Sequence, residues 1–226
     1  MLFAAAGLVQ IRGFLIEKNI SKISGCLIGV VTVAVLCNWS TTSEQDMRAV
    51  TYMNLGSLYK SHGKLNDSEI AYRQAIQFKP DHARVRYELG VVLIMQGKVN
   101  DAIEQFKAAT KIQPKFAKAY TTLGAAYLSQ GRSDKAIDPY RQAKRLNPRN
   151  ARSYSDLGEA FRMNGDLQRA IHHFEKAVRL EPNSVRAQFN LGRTLLRTGR
   201  RQKALAHFHR AVVLQPDLGA AIKSLG

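Results

Sequence analysis

One period governs this chain. Leu-Gly pairs stand at Leu55-Gly56, Leu89-Gly90, Leu123-Gly124, Leu157-Gly158, Leu191-Gly192 and Leu225-Gly226, each step 34 residues. Pro80, Pro114, Pro148, Pro182 and Pro216 keep the same step, as do Gly63, Gly97, Gly131, Gly165 and Gly199. Three series in one phase identify an internal repeat. A period between about 20 and 50 residues means a stacked array, because a unit that small cannot bury its own apolar face.

Each unit reads as two helices. In the fourth, Tyr154, Leu157 and Phe161 form a helical stripe that ends at Gly165, where a glycine tolerates the left-handed backbone of a helix stop. Ala170, Ile171, Phe174, Ala177 and Val178 then share one face, and Pro182 ends the second helix. The interior glycine of each Leu-Gly pair is costly in an isolated helix, by about 1 kcal/mol. Its recurrence implies close approach of the partner helix, for Gly158 opposite the small Ala170. The third unit poses a local conflict, since Pro139 falls inside DKAIDPYRQAKRLNPRN. The register of Ala136, Tyr140, Ala143 and Pro148 predicts a helix kinked at Pro139 rather than a loop.

The pattern resembles the tetratricopeptide repeat: aromatic, Leu-Gly, Tyr, Ala, aromatic, Ala and a late Pro. The third unit carries it at Tyr120, Leu123, Gly124, Tyr127, Ala136, Tyr140, Ala143 and Pro148. Departures are modest. Arg86 and Gln188 replace the first aromatic, Leu93 and Leu195 the tyrosine, and Ser68 the first alanine. Five repeats run at 49–82, 83–116, 117–150, 151–184 and 185–218, and 219–226 opens a sixth or forms a truncated cap. The resemblance implies an all-α, right-handed superhelical solenoid with the first helices lining a concave surface. A chain that ends eight residues into a first helix implies either a partner covering that end or a longer protein.

Ahead of the array, residues 23–39 (ISGCLIGVVTVAVLCNW) run 17 positions without a charge, at the short end of what spans a bilayer. A single hydrophobic helix is expected there, preceded by a basic segment 1–22 of cytoplasmic type and followed by a linker, 40–48. Arg12, Lys18 and Lys22 precede the stretch and only Arg48 follows closely, so the positive-inside rule places the array on the extracytoplasmic, periplasmic side. Export after signal cleavage is the alternative. Cys26 and Cys37 would stand about 16 Å apart on one helix, too far for a disulfide.

Chemistry is sparse. No phosphate-binding glycine loop and no Cys/His zinc spacing occur, and no cofactor or small-molecule substrate is expected. His172 and His173 diverge around a helix, as do His207 and His209. His173 and His207 share a column with Ala71, Gln105 and Pro139, which reads as an outward face. Asp156 and Glu159 lie three apart on a first helix and suit solvation or binding more than acid–base catalysis.

The resemblance also implies which positions meet a ligand. These are Met53, Asn54, Ser57 and Lys60 in the first repeat, and Arg84, Tyr87, Val91 and Ile94 in the second. The third gives Lys118, Thr121, Thr122, Ala125 and Leu128; the fourth Arg152, Ser155, Glu159 and Arg162. The fifth gives Arg186, Phe189, Asn190, Arg193 and Arg197, with Lys223 beyond. The Lys/Asn clamp by which chaperone-binding relatives hold a terminal carboxylate is not assembled by any three repeats.

Net charge is +17, with 34 Lys and Arg against 17 Asp and Glu. The fourth repeat balances five against five, whereas the fifth carries seven basic residues against one acidic. Arginine pairs bidentately with carboxylates, so a basic groove end favours an acidic protein segment. The sequence therefore predicts a non-enzymatic, membrane-tethered interaction scaffold for protein or peptide partners. Affinity is expected from Tyr87, Val91, Ile94 and Phe189, and orientation from Arg152, Arg186, Arg193 and Arg197. Alternatives are the targeting region of a larger enzyme such as a glycosyltransferase, or a nucleic-acid or anionic-surface module. Nucleic acid is the weaker of these, since it rests on net charge alone.

Overall fold

Each 34-residue unit folds as the helical pair its two apolar stripes require. The computed structural model describes residues 44–219. These comprise ten α-helices and no strand: α1 (Glu44–Ser61), α2 (Leu65–Phe78), α3 (Ala83–Met95), α4 (Val99–Ile112), α5 (Ala117–Ser129), α6 (Ser133–Leu146), α7 (Ala151–Met163), α8 (Leu167–Leu180), α9 (Val185–Arg197) and α10 (Arg201–Leu214). Residues from Arg48 onward form one unit. Cys26, Cys37, Lys223 and the expected apolar helix at 23–39 lie outside the described residues. Among the described ones no helix is long and apolar enough to cross a membrane. Helix α1 begins at Glu44, within the expected linker; Glu44 and Asp46 in its first turn suit the positive end of the helix dipole.

From α3 onward, each helix packs on its neighbour in the chain, and α7 also touches α5 and α9. One solenoid core results, running from Tyr72 and Leu89 through Phe106, Tyr140 and Phe174 to Phe208. The turn glycines behave as the spacing predicts: Gly63, Gly97, Gly131, Gly165 and Gly199 all have φ between 71° and 85°.

The interior glycines are needed for a different contact from the one expected. A Cβ on Gly158 would lie 2.9 Å from two ring carbons of Phe174, and one on Gly90 only 2.5 Å from Cε1 of Phe106. Both rings are fully buried. The glycine thus makes room for the large aromatic of the second helix, not for the alanine one turn before it.

The departures from the repeat pattern are compensated locally. Arg86 Nε donates to the Pro80 carbonyl (2.9 Å), the Tyr154 hydroxyl to that of Pro148 (3.2 Å) and Gln188 Nε2 to that of Pro182 (2.8 Å). Three chemically different side chains thereby satisfy the same carbonyl at the end of the preceding repeat. Ser68, fully buried in place of alanine, donates its hydroxyl to the Gly56 carbonyl at 2.7 Å. At the opposite helix ends, Gln96 donates to Asn66 (3.0 Å) and Gln130 to Asn100 (2.8 Å), bonds that recur at the repeat step and tie one repeat to the next.

Helix α6 runs from Ser133 to Leu146 with Pro139 inside it. Ala136 and Tyr140 fill core positions on either side of Pro139. Pro139→Gln restores that backbone hydrogen bond. Interior proline costs a helix about 3 kcal/mol, and part of that is offset because proline also restricts the unfolded chain, by about 0.4–1 kcal/mol. The substitution is expected to stabilise the array by about 2 kcal/mol, read as a raised denaturant midpoint; a lowered midpoint would show that the proline is accommodated without penalty.

Candidate partner-binding face

The expected contacts stand at the second, fifth, sixth, ninth, twelfth and thirteenth positions of their repeats, and α5, α7 and α9 lie side by side. Burial divides the expected contact residues. Asn54, Ser57, Arg84, Lys118, Ala125, Arg152, Arg186 and Arg197 are exposed. Met53, Lys60, Val91, Ile94, Thr121, Thr122, Leu128, Glu159, Arg162, Phe189 and Arg193 are partly exposed.

Three of the expected contacts are core residues instead. Tyr87 is buried between Phe106 (ring centroids 5.7 Å) and Phe116 (5.2 Å). Ser155 and Asn190 are buried as well. Phe189, half-buried, faces Phe208 at 5.8 Å, with the Arg193 guanidinium 5.7 Å above its ring. Tyr87, Ser155 and Phe189 share the fifth repeat position and Asn190 stands at the sixth, where Asn54 is exposed, so burial here follows local neighbours rather than one column.

The remaining surface has three parts. At the N-terminal side, Lys60 on α1 pairs with Glu88 on α3. In the middle, Val91 and Ile94 of α3 and Ala125 and Leu128 of α5 form an apolar strip, with Met95 of α3 54% exposed beside it. Toward the C-terminal side, the carboxylates of α7 meet arginines of α7 and α9. Glu159 accepts from Arg162 Nε (2.8 Å) and Nη2 (2.5 Å), and Arg193 Nη2 stands 3.6 Å away. Asp156 accepts from Arg186 Nη1 (2.8 Å), with Arg152 Nε at 3.9 Å.

Electrostatics follows from that arrangement. Burial pushes the Glu159 carboxyl up, but the Arg162 hydrogen bonds and the charges of Arg162, Arg193 and Arg186 outweigh it and hold it below its ordinary value. Arg193 is pushed down, first by burial and then by Arg162. Its Nε is buried without a hydrogen-bond partner. Arg186 and Arg193, expected to orient a partner, are therefore already engaged with carboxylates of the array. Asp156 and Glu159 are correspondingly not solvated acids. Arg197 forms no ion pair among the described residues and remains the uncommitted cation of α9.

The histidine column also differs from expectation, for it is not an outward face. Ala71 is buried and Gln105, Pro139, His173 and His207 are half-buried, each across from the first-aromatic position of its own repeat. His173 stacks on Phe161 (5.4 Å, 4° between planes) and lies 6.2 Å from Tyr154. Burial, then the charges of Lys144, His172, Arg141 and Arg169, push it down to about 4. His207 Nδ1 lies 2.8 Å from Gln188 Oε1, and Arg86 Nη1 donates to Gln105 Oε1 at 3.4 Å. Where the first aromatic is replaced by a polar residue, the facing position is polar too. That pairing, 19 residues apart in both repeats, was readable in the sequence. Among the described residues no three His, Cys, Asp or Glu side chains converge on a metal-sized site.

Comparison with known proteins agrees with this architecture. The chain is similar to a crystal structure of MamA protein, at 26% identity and TM-score 0.70 over 76% of this chain and 94% of that one. It shares its fold with residues 41 to the end of MamA from Desulfovibrio magneticus RS-1, at 21% identity and TM-score 0.72, over 79% of this chain and 99% of that one. It likewise shares the fold of YrrB, described as a TPR protein with an unusual peptide-binding site, at 23% identity and TM-score 0.69, over 78% of this chain and 91% of that one. A search of curated proteins gives no match. Models of the tetratricopeptide repeat match residues 49–82 and 155–218, and a TPR repeat model matches 92–131 and 124–165. Most of its length matched by these models, the chain belongs to the tetratricopeptide repeat family.

Proposed function

We propose that this chain is a non-enzymatic protein-interaction scaffold whose first-helix face holds a segment of a partner protein. The observation that carries the reading is the partly exposed apolar strip of Val91, Ile94, Met95, Ala125 and Leu128, flanked on both sides by ion pairs. Apolar side chains of an extended or helical segment gain most by covering such a strip, while the flanking charges set register. An acidic group on the segment meets Arg197 at the end of α9, or Lys118 and Arg84 at the starts of α5 and α3. The array is tethered through residues 23–39 and stands on the extracytoplasmic side. Arg12, Lys18 and Lys22 ahead of that stretch support this orientation.

The test is recovery of partners by the full-length chain from cross-linked cells. Val91, Ile94 and Leu128 pack against the core, whereas Met95→Glu combined with Ala125→Glu places unpaired charge on the two exposed members of the strip. It is expected to lower recovery of the main partner by at least about tenfold, with helicity and melting temperature unchanged. Equal recovery by both proteins would remove the strip from the binding surface.

A further inference from the structure

The junctions between each second helix and the next first helix gather cations along one edge of the array. Lys111, Lys115 and Lys118 surround the junction of α4 with α5, and Arg145, Arg149 and Arg152 occupy the same three positions between α6 and α7. The next junction repeats the first and last of these as Arg179 and Arg186. All are exposed. Lys111, Lys115, Arg145, Arg149 and Arg179 have no carboxylate partner among the described residues. From residue 105 to 155 the chain has eleven Lys and Arg against Asp134 and Asp138 alone. Asp138 is taken by Arg141 at 2.6 Å, and Asp134 stands at the other end of α6.

Stability of the fold does not account for this pattern. Lys111, Arg145 and Arg179 do suit the negative ends of their helix dipoles. Lys115 and Arg149, however, lie outside the helices. Lys118, Arg152 and Arg186 each occupy the second residue of a first helix, where the positive end of the dipole disfavours a cation. None of those three helices has an acidic residue in its first turn.

We propose that this edge docks on an anionic lipid surface. A row of long, flexible cationic side chains repeating at the step of the array matches a plane of phosphate-bearing headgroups. Each cation within a Debye length of about 8–10 Å adds to the attraction. Single-stranded nucleic acid would require exposed aromatic faces for its bases. Here Phe116 packs against Tyr87, and Tyr154 is held by the Pro148 carbonyl under Lys144. The exposed large apolar side chains at this edge are aliphatic rather than aromatic, Leu180 (36%) and Val213 (58%). The choice of lipid also rests on reading residues 23–39 as a tether; Lys118, Arg152 and Arg186 belong to the first-helix face as well, whereas Lys111, Lys115, Arg145 and Arg149 do not.

The experiment measures sedimentation of the full-length chain with vesicles of phosphatidylcholine alone and of equal parts phosphatidylcholine and phosphatidylglycerol. The chain is expected to favour the anionic vesicles by roughly 100-fold at physiological salt, and strong salt removes the preference. Replacing Lys111, Lys115, Arg145 and Arg149 together by Glu is expected to abolish it; the same four changed to Gln serve if the Glu variant loses helicity. The combination Lys135→Glu, Arg200→Glu, Arg201→Glu and Lys203→Glu changes net charge equally at the opposite edge and is expected to retain the preference. Equal loss from both sets, or no preference in the native chain, overturns the proposal. So does tighter binding of duplex DNA than of anionic vesicles, released only by the first set. Failure to bind phosphatidylcholine vesicles overturns the tether alone, because the charge-dependent difference still reports on the edge.

Discussion

Phe106→Ala is expected to lower the unfolding free energy by about 3–5 kcal/mol, the cost of a fully buried aromatic plus the cavity it leaves. Phe106 has no exposed surface, and its ring lies against the backbone of Gly90 and beside Tyr87. The gap cannot close by local repacking, because Gly90 has no side chain to move into it. In a stacked array, stability is a sum of repeat terms and neighbour terms. Loss of this ring therefore weakens the second repeat and its coupling to the first and third. Circular dichroism in denaturant should show the single transition broadening or splitting, with amides of α1 to α4 exchanging before those of α7 to α10. Gly90→Ala should move stability in the same direction by less. Overpacking against a ring 2.5 Å away costs about 1–3 kcal/mol, against which better helix propensity returns about 1 kcal/mol. A full-length chain with unchanged stability on Phe106→Ala would show that the repeats do not share this core.

Arg162→Leu should be the most damaging change on the first-helix face. It removes both hydrogen bonds of the Arg162 fork from Glu159, leaving a part-buried carboxylate with Arg193 alone, 3.6 Å distant. Breaking such a pair from one side costs about 3–5 kcal/mol when it is fully buried. The partial exposure here reduces the expected loss to about 2–3 kcal/mol. Adding Glu159→Leu removes the stranded charge, and the double variant should recover most of the loss. The sign with pH follows from the direction of the shift. A carboxyl held below its ordinary value of 4.5 contributes stability above that pH and loses it as pH falls through the folded value. The gap between native chain and Arg162→Leu should accordingly be full at neutral pH and narrow in acid. A gap that stays constant into strong acid would mean the leucine acts through packing and not through the carboxylate.

The polar pairs of the histidine column show how far the sequence carries. Once the period is known, every column is known, and residues that depart together in two columns of one repeat belong in contact. Arg86 with Gln105 and Gln188 with His207 are such pairs. The glycine of each Leu-Gly pair was likewise recognisable as a close approach. What approached it was not, because Ala170 and Phe174 are one turn apart on the same face and only the crossing geometry selects the ring.

The sequence by itself determined the 34-residue unit, its two helices, the left-handed glycine turns and the family, because each repeat meets the same neighbours and the same positions must solve the same packing problem. Only the tertiary structure decided which charges are free. Arg186 and Arg193 reach back to Asp156 and Glu159, about one repeat earlier in the chain, while Lys111, Lys115, Arg145 and Arg149 reach no acid among the described residues. A long cationic side chain chooses its partner by distance through space across a repeat boundary, and that distance is set by stacking, which no single repeat encodes.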